Sequence, residues 1–454
     1  MSDGLTLDAI RPCLEGAIPG VVATCAADGT PNIAYLSQVE YVDAGHLALS
    51  FQFFNKTRQN ILANPRVQLL VIHPLDGAMY RIDARYLRTE TDGALFERMK
   101  AKLAGIASHT GMSGVFKLLG SDVYAVAGIE PVATPKSAAR TSGPHRLSVL
   151  RRCTERLGAC ADFEALLETT LDVLQGELGV SHAMLLILDT AGERLYTVAS
   201  RGYGASGVGS EIPLGAGVIG VAARLRTPIR INHMTLEYAY SRAIRERLSA
   251  SGAPDALEHE IALPGLEAPH SQLALPVGCG DTLLGVLFVE SPQEMRFNWD
   301  DEDALAAIAA HLGVLLRNLQ LAGDAAEAEA AELAAPAPMP LQPAGAPPLR
   351  VRFFESDASV FLDDDYLIKG VAGSVLWKLL RDHAREGRTE FTNRELRLSP
   401  EIRLPDISDN LEARLALLAR RLVERDACLR IEKTGRGRFR LCVPRPLQLV
   451  SVAR

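Results

Sequence analysis

Residues 215–232 read Gly215-Ala-Gly217-Val-Ile-Gly220-Val-Ala-Ala223-Arg-Leu-Arg-Thr227-Pro-Ile229-Arg230-Ile231-Asn232. The glycines open a helix, and Thr227–Asn232 follows as a short strand. A Gly-x-Gly-x-x-Gly before a helix invites a dinucleotide-binding reading. That reading needs a βαβ unit and an acid-ended second strand, and neither surrounds this stretch. Upstream, Leu147–Leu157 and Asp162–Leu178 have the spacing of amphipathic helices, with Asp162 placed as an N-cap. Ala183–Leu188 and Arg194–Ser200 read as strands, as do Leu273–Val277 and Leu283–Glu290 downstream. Asp300–Leu319 closes the unit as a helix whose opening acids suit its N-terminal dipole. The pattern predicts an α+β unit with long helices flanking a central sheet.

The chain extends well beyond this unit. At 454 residues it is too long for one ordinary core, and its 48% hydrophobic and 23% charged residues exclude wholesale disorder. Ala322–Pro348 holds eleven Ala and six Pro in 27 residues and reads as a linker, and its proline-rich second half cannot be helical. A weaker boundary falls at Ala133–His145. The predicted parts are therefore 1–132, 145–321, the linker 322–348, and 349–445.

No uncharged apolar run approaches the roughly 18–20 residues a membrane span needs, so no membrane partner is expected. Met1-Ser2-Asp3-Gly4 carries an acid where a secretory signal carries bases, and seven scattered cysteines do not suggest a disulfide framework. A cytoplasmic protein with reduced thiols is expected. The net charge of −7 is unevenly spread: residues 350–454 carry 21 Lys/Arg against 16 Asp/Glu, net +5, which leaves −12 for residues 1–349. A basic tail on an acidic body points to an anionic partner for the tail.

The first part reads as consecutive short strands: Gly20–Ala26, Ile33–Tyr41, His46–Phe53 and Val67–His73. A helix starting near Asn55-Lys56-Thr57-Arg58 and stopping at Pro65 interrupts them. Such strands imply a small antiparallel barrel. Two cations, a hydroxyl and the free amides of a helix start suit a phosphate monoester. The strand Leu47–Phe54 running into Lys56–Val67 resembles the flavin-binding split barrel of the pyridoxamine-5′-phosphate-oxidase-like family. The resemblance implies that Lys56, Thr57 and Arg58 contact the phosphate of flavin mononucleotide (FMN), with Ser50 and Gln52 near its ribityl chain or ring. The vitamer-binding residues of the true oxidase have no match.

In the middle part, Gly215–Ala223, Ser271-Gln272-Leu273-Ala-Leu275-Pro276-Val277, Leu284–Glu290 and Phe297–Asp303 together resemble a GAF domain, a small-molecule sensing fold. The resemblance implies a ligand pocket roofed by Met234–Gln272, with Tyr238, Tyr240, Arg242 and Arg245 in the roof. It also implies a homodimer formed through Leu147–Leu178 and Asp300–Leu321. His182, His233, His259 and His270 are candidates for a haem ligand, but no fixed spacing links them, so haem is the lesser expectation and no metal site is assigned. Cys153 and Cys160 lie seven residues apart and read as buried bystanders.

In the last part, strands at Val351–Phe354 and Val360–Leu362 precede helices at Val371–Glu386, Asn393–Leu396 and Ser408–Arg425, then a hairpin closed by Gly435-Arg436-Gly437. Leu411, Leu415, Leu418 and Leu422 share one face of the third helix, with Asn410, Arg414 and Arg421 on another. The arrangement resembles the winged helix-turn-helix effector domain of response regulators. It implies that Asn410, Arg414, Arg420 and Arg421 read DNA while Lys433, Arg436 and Arg438 meet phosphates. The expectation is a multi-domain α+β chain: an antiparallel split β-barrel, a GAF fold and a winged helix-turn-helix. Its expected role is a ligand- or redox-sensing transcriptional regulator, the alternative being an FMN-dependent oxidoreductase regulated by its later domains.

Overall fold

A computed structural model describes residues 5–14, 18, 20–36, 38–52, 56–74, 76–109, 117–133, 146–189, 193–232, 261–330, 347–402, 411–435 and 437–452. Period-two patterning builds the amino-terminal unit: along β1 (Gly20–Cys25) buried and half-buried residues alternate. With β2 (Pro31–Leu36), β3 (Val39–Asp43), β4 (His46–Phe51), β5 (Arg66–Ile72), β6 (Met79–Glu90) and β7 (Gly120–Ala133) it forms a seven-stranded sheet, ordered β2-β1-β5-β6-β7-β4-β3. Every pairing in it is antiparallel. Val22, Leu47, Leu69, Ile82 and Tyr124 fill its core. Helix α1 (Lys56–Ala63) joins β4 to β5, and α2 (Gly93–His109) joins β6 to β7.

The central unit is a six-stranded antiparallel sheet. Its strands are β8 (His182–Asp189), β9 (Arg194–Arg201), β10 (Glu211–Pro213), β11 (Ile229–Ile231), β12 (Ser271–Cys279) and β13 (Thr282–Ser291), ordered β10-β9-β8-β13-β12-β11. Helices α3 (Arg146–Gly158), α4 (Phe163–Leu178) and α6 (Trp299–Ala330) cover one face. Asp162 caps α4 as expected, accepting from the Ala165 amide at 2.9 Å. Helix α5 (Gly217–Leu225) covers the other face, and Ala101 of α2 is buried in the same cluster, so the first two units meet there. Gly215 and Gly217 open α5 with positive φ, 85° and 59°, whereas Gly220 is a packing glycine: a Cβ there would lie 2.4 Å from the Pro213 carbonyl oxygen.

Helix α6 runs to Ala330, so the first part of the predicted linker continues it. Residues Trp299–Ala322 are long and apolar enough to cross a membrane by composition alone. In the fold, Leu305, Ile308, Leu312 and Leu316 of this stretch lie in the central core. Helix and sheet approach closely there, since a Cβ at Gly313 would sit 2.0 Å from the Gly278 carbonyl oxygen. Gly313→Ala should therefore destabilise the unit by about 1–3 kcal/mol, the usual cost of overpacking against backbone, read as a lowered thermal midpoint.

The carboxyl-terminal unit starts with β14 (Leu349–Phe354), β15 (Ser359–Leu362) and β16 (Asp365–Ile368). Helix α7 (Gly370–Glu386), β17 (Glu390–Thr392), α8 (Asn393–Arg397) and α9 (Leu411–Glu424) follow, then the hairpin β18 (Arg430–Gly435) and β19 (Arg438–Cys442). A last strand, β20 (Leu447–Val452), runs parallel to β14, pairing Leu349 with Leu447. The unit thus extends past the boundary at 445 read from the sequence, because the partner of β20 lies almost a hundred residues upstream. One continuous cluster of buried side chains runs from Leu185 and Leu287 of the central sheet to Leu376, Leu417 and Leu441 of this unit.

Candidate functional site

The strand–helix junction predicted to hold a phosphate lies at the end of β4. Lys56 opens α1 and is exposed. Thr57 accepts a hydrogen bond from Asn32 Nδ2 at 3.0 Å through Oγ1, which leaves its hydroxyl proton able to donate. Asn60, on the next turn, is buried and donates to Thr24 Oγ1 at 3.1 Å, which fixes α1 against β1.

Arg58 differs from its neighbours. Its guanidinium pairs with Asp122 on β7 and donates to Thr89 Oγ1 at 2.9 Å, while Thr89 donates to Asp122 at 2.6 Å. The same group lies 4.4 Å from the Phe51 ring centre. Burial lowers the Arg58 pKa, but Asp122 overcompensates and the net shift is upward. Burial, with Asp122 close by, pushes the Tyr124 phenol well above its ordinary value. The sequence missed Asp122, Thr89 and Tyr86; none is near Arg58 in the chain, and only the β6–β7 pairing delivers them.

Ser50 and Gln52 stand together, Gln52 Nε2 donating to Ser50 Oγ at 3.2 Å. Ser121 sits opposite Ser50 in the β4–β7 register. Gln52 Oε1 and Ser121 Oγ are buried with no hydrogen-bond partner among the described residues. Buried polar atoms of this kind are uncommon in a finished core and suit a polar ligand. The residues present therefore fit FMN in part: Lys56, Thr57 and the α1 amides suit a phosphate and the Ser50–Gln52–Ser121 group a ring edge, whereas Arg58 is already neutralised.

On the α5 face of the central sheet, Gln272, Glu290 and His182 stand side by side on β12, β13 and β8. Glu290 accepts from the Leu266 amide at 2.9 Å and from Gln272 Nε2 at 3.1 Å. Burial pushes its carboxyl pKa up against these bonds. The His182 ring packs 5.5 Å from Tyr203 and bonds Ser181 through Nδ1. His270 faces Glu294 at 3.6 Å. His233, His259, Tyr238, Tyr240, Arg242 and Arg245 lie outside the described residues, and with them most of the expected roof. Among the described residues no group of three or more His, Cys, Asp or Glu is placed to hold a metal. The seven cysteines are free thiols, and burial pushes the Cys153 thiol up.

The basic helix α9 is placed differently from its helical-wheel reading. Arg414 and Arg421 were expected on an outward face, yet they are only 4% and 5% exposed. Arg414 pairs with Asp189 of β8 at 3.2 Å, its guanidinium 5.0 Å from the Tyr196 ring centre. Arg421 donates to the Leu367 carbonyl at 3.2 Å and pairs with Glu424; burial lowers its pKa although Glu424 opposes the shift. Arg420 reaches Glu168 of α4 at 2.7 Å, and Lys433 reaches Asp162 at 3.4 Å. Arg414 and Arg420 are thus held by acids of the central unit, whereas Arg421 is held inside its own unit. Arg438 is exposed; Asn410 and Arg436 lie outside the described residues.

Comparison with known proteins matches this architecture in two places. Residues 6–125 fit the family model described as pyridoxamine 5′-phosphate oxidase, and residues 160–317 fit the GAF domain model. The chain thus carries a pyridoxamine-5′-phosphate-oxidase-like domain followed by a GAF domain. An uncharacterized protein of Methanocaldococcus jannaschii is 34% identical over 100 residues, covering 20% of this chain and 67% of that protein, and over that stretch the two belong to one family.

Among solved structures, the GAF domain of an Acinetobacter phosphoenolpyruvate-protein phosphotransferase is 20% identical. It covers 42% of this chain and 96% of its own, at a TM-score of 0.30. An FMN-binding protein from Syntrophomonas wolfei is 20% identical, covering 29% and 93%, at a TM-score of 0.23.

Proposed function

We propose that the chain is a cytoplasmic sensor-regulator in which the flavin-type domain and the GAF domain control a DNA-binding carboxyl-terminal unit. The two family matches support a sensory or flavin-related role. The observation that carries the regulatory reading is the single core shared by the central sheet and the helix–hairpin unit. A ligand that changes the packing of one must be felt by the other. In this reading the winged-helix unit presents Arg394, Arg425, Arg430 and Arg438, all exposed, to DNA phosphates, and the protein acts as a homodimer. FMN, held by Lys56, Thr57, Ser50 and Gln52, supplies a redox-responsive ring when bound.

The test is selection of genomic DNA on the tagged full-length protein. Enrichment of defined fragments over random DNA is expected, and equal recovery of both would end the regulatory reading. With four phosphate contacts, affinity for the duplex falls about a hundredfold between 50 and 200 mM salt. The buried, unpartnered Gln52 Oε1 and Ser121 Oγ favour a second reading, an FMN-dependent oxidoreductase. A yellow protein that consumes reduced nicotinamide would support it.

A further inference from the structure

The geometry points to an autoinhibitory clamp in which acids of the central unit hold the basic face of α9 against the GAF-type sheet. This inference rests on the reading of the carboxyl-terminal unit as DNA-binding, and it concerns how that binding is withheld.

Among the described residues four ion pairs stitch the seam. Arg414 meets Asp189 on β8 at 3.2 Å, and Arg420 meets Glu168 on α4 at 2.7 Å. Lys433 of the hairpin meets Asp162 at 3.4 Å, and Lys369, just before α7, meets Glu211 on β10 at 3.6 Å. In each pair the cation belongs to the carboxyl-terminal unit and the acid to the central unit. The global charges agree, with +5 on residues 350–454 against −12 on the rest. Salt bridges scattered on a surface show no such division of sign; a seam built this way substitutes protein carboxylates for an external polyanion.

Arg414 is almost wholly buried against Asp189 and Tyr196, so it cannot reach a groove unless α9 leaves the sheet. The seam is also one that can open. Glu168 is half exposed and also serves Arg201 at 2.9 Å, so it has a partner in either state. Arg414 stands beside Tyr196 of β9, and Glu211 beside β9 pairs with Arg194 at 3.2 Å. Displacement of β9 or β10 by a ligand on the central sheet therefore acts on the Tyr196 ring that Arg414 of α9 packs against and on Glu211, which holds Lys369. The result is a reciprocal coupling between sheet ligand and DNA.

The test uses the full-length chain, with Asp189→Asn/Glu168→Gln and, separately, Glu168→Lys at its half-exposed position. Two quantities are read: amide hydrogen exchange across Leu411–Glu424, and affinity for a mixed-sequence DNA duplex at low salt. Both variants should exchange faster across α9 and bind the duplex about tenfold more tightly than the parent chain. Unchanged exchange in both variants overturns the clamp, whatever DNA does. Faster exchange with equal duplex affinity in parent and variants shows that α9 was not masking a DNA surface and also overturns it. Faster exchange with no duplex bound by any of the three proteins leaves the seam a releasable contact and sinks the DNA-binding reading instead.

Discussion

Arg230→Ala is expected to lower the stability of the central unit by about 3–5 kcal/mol, the range for removing one partner of a buried ion pair. The Arg230 and Glu302 side chains are only 4% and 10% exposed, and Nε donates to the carboxylate at 2.6 Å. Arg230 also donates to the Phe297 carbonyl at 3.1 Å and lies 4.4 Å from the Trp299 ring centre. That indole is crowded by cations: Arg11 lies 4.4 Å and Lys102 4.8 Å from it, and its Nε1–H donates to the Arg11 carbonyl at 3.0 Å. Arg11 and Lys102 come from the amino-terminal unit, so the cluster also pins that unit to the central one.

The acid dependence follows from Glu302. Burial raises its pKa, but Lys102 and Arg230 outweigh burial, and the folded-state value lies below the ordinary 4.5. A depressed carboxylate contributes stability that is fully present above its unfolded value and is lost as pH falls through the folded one. The difference between the parent chain and Arg230→Ala should therefore be full at neutral pH and shrink below about pH 4.5. Adding Glu302→Gln to Arg230→Ala should recover part of the loss, since no buried charge is then left alone. A pH-independent gap in thermal unfolding, or no recovery, would assign the loss to packing on Trp299 instead.

What the sequence made legible and what it hid differ by range. Asp162 as a cap, the bounds of α4 and α7 and five of the six strands of the central unit follow from spacing within a dozen residues, and the structure agrees; the three-residue β10 escapes that reading. The partners that decide function come from far away. Arg58 finds Asp122 sixty-four residues on. The arginines of α9 find Glu168 and Asp189 more than two hundred residues back. A helical wheel separates two faces of α9 but cannot tell which is solvent, because the acids that hold Arg414 and Arg420 belong to another unit. Strand β20 is hidden for the same reason: a parallel edge strand carries no turn signal to its partner.

Arg58→Ala and Lys56→Ala should part company, which tests the flavin site more sharply than either alone. Arg58 is 14% and Asp122 7% exposed as side chains, and Thr89 keeps a hydrogen bond to the carboxylate after Arg58 is removed. Losing Arg58 should therefore cost the ligand-free protein about 2–4 kcal/mol, slightly less than a fully orphaned buried acid. Lys56 is exposed at the first residue of α1, so Lys56→Ala should leave thermal stability nearly untouched. If Lys56 and the α1 amides carry the phosphate, FMN affinity, read by quenching of flavin fluorescence, falls about tenfold in Lys56→Ala, the worth of one charge-assisted hydrogen bond. Riboflavin, which lacks the phosphate, should bind parent and Lys56→Ala equally. Should Arg58→Ala instead abolish FMN binding with ligand-free stability intact, Arg58 must leave Asp122 for the phosphate. The Arg58–Asp122 pair would then give way to the phosphate on binding.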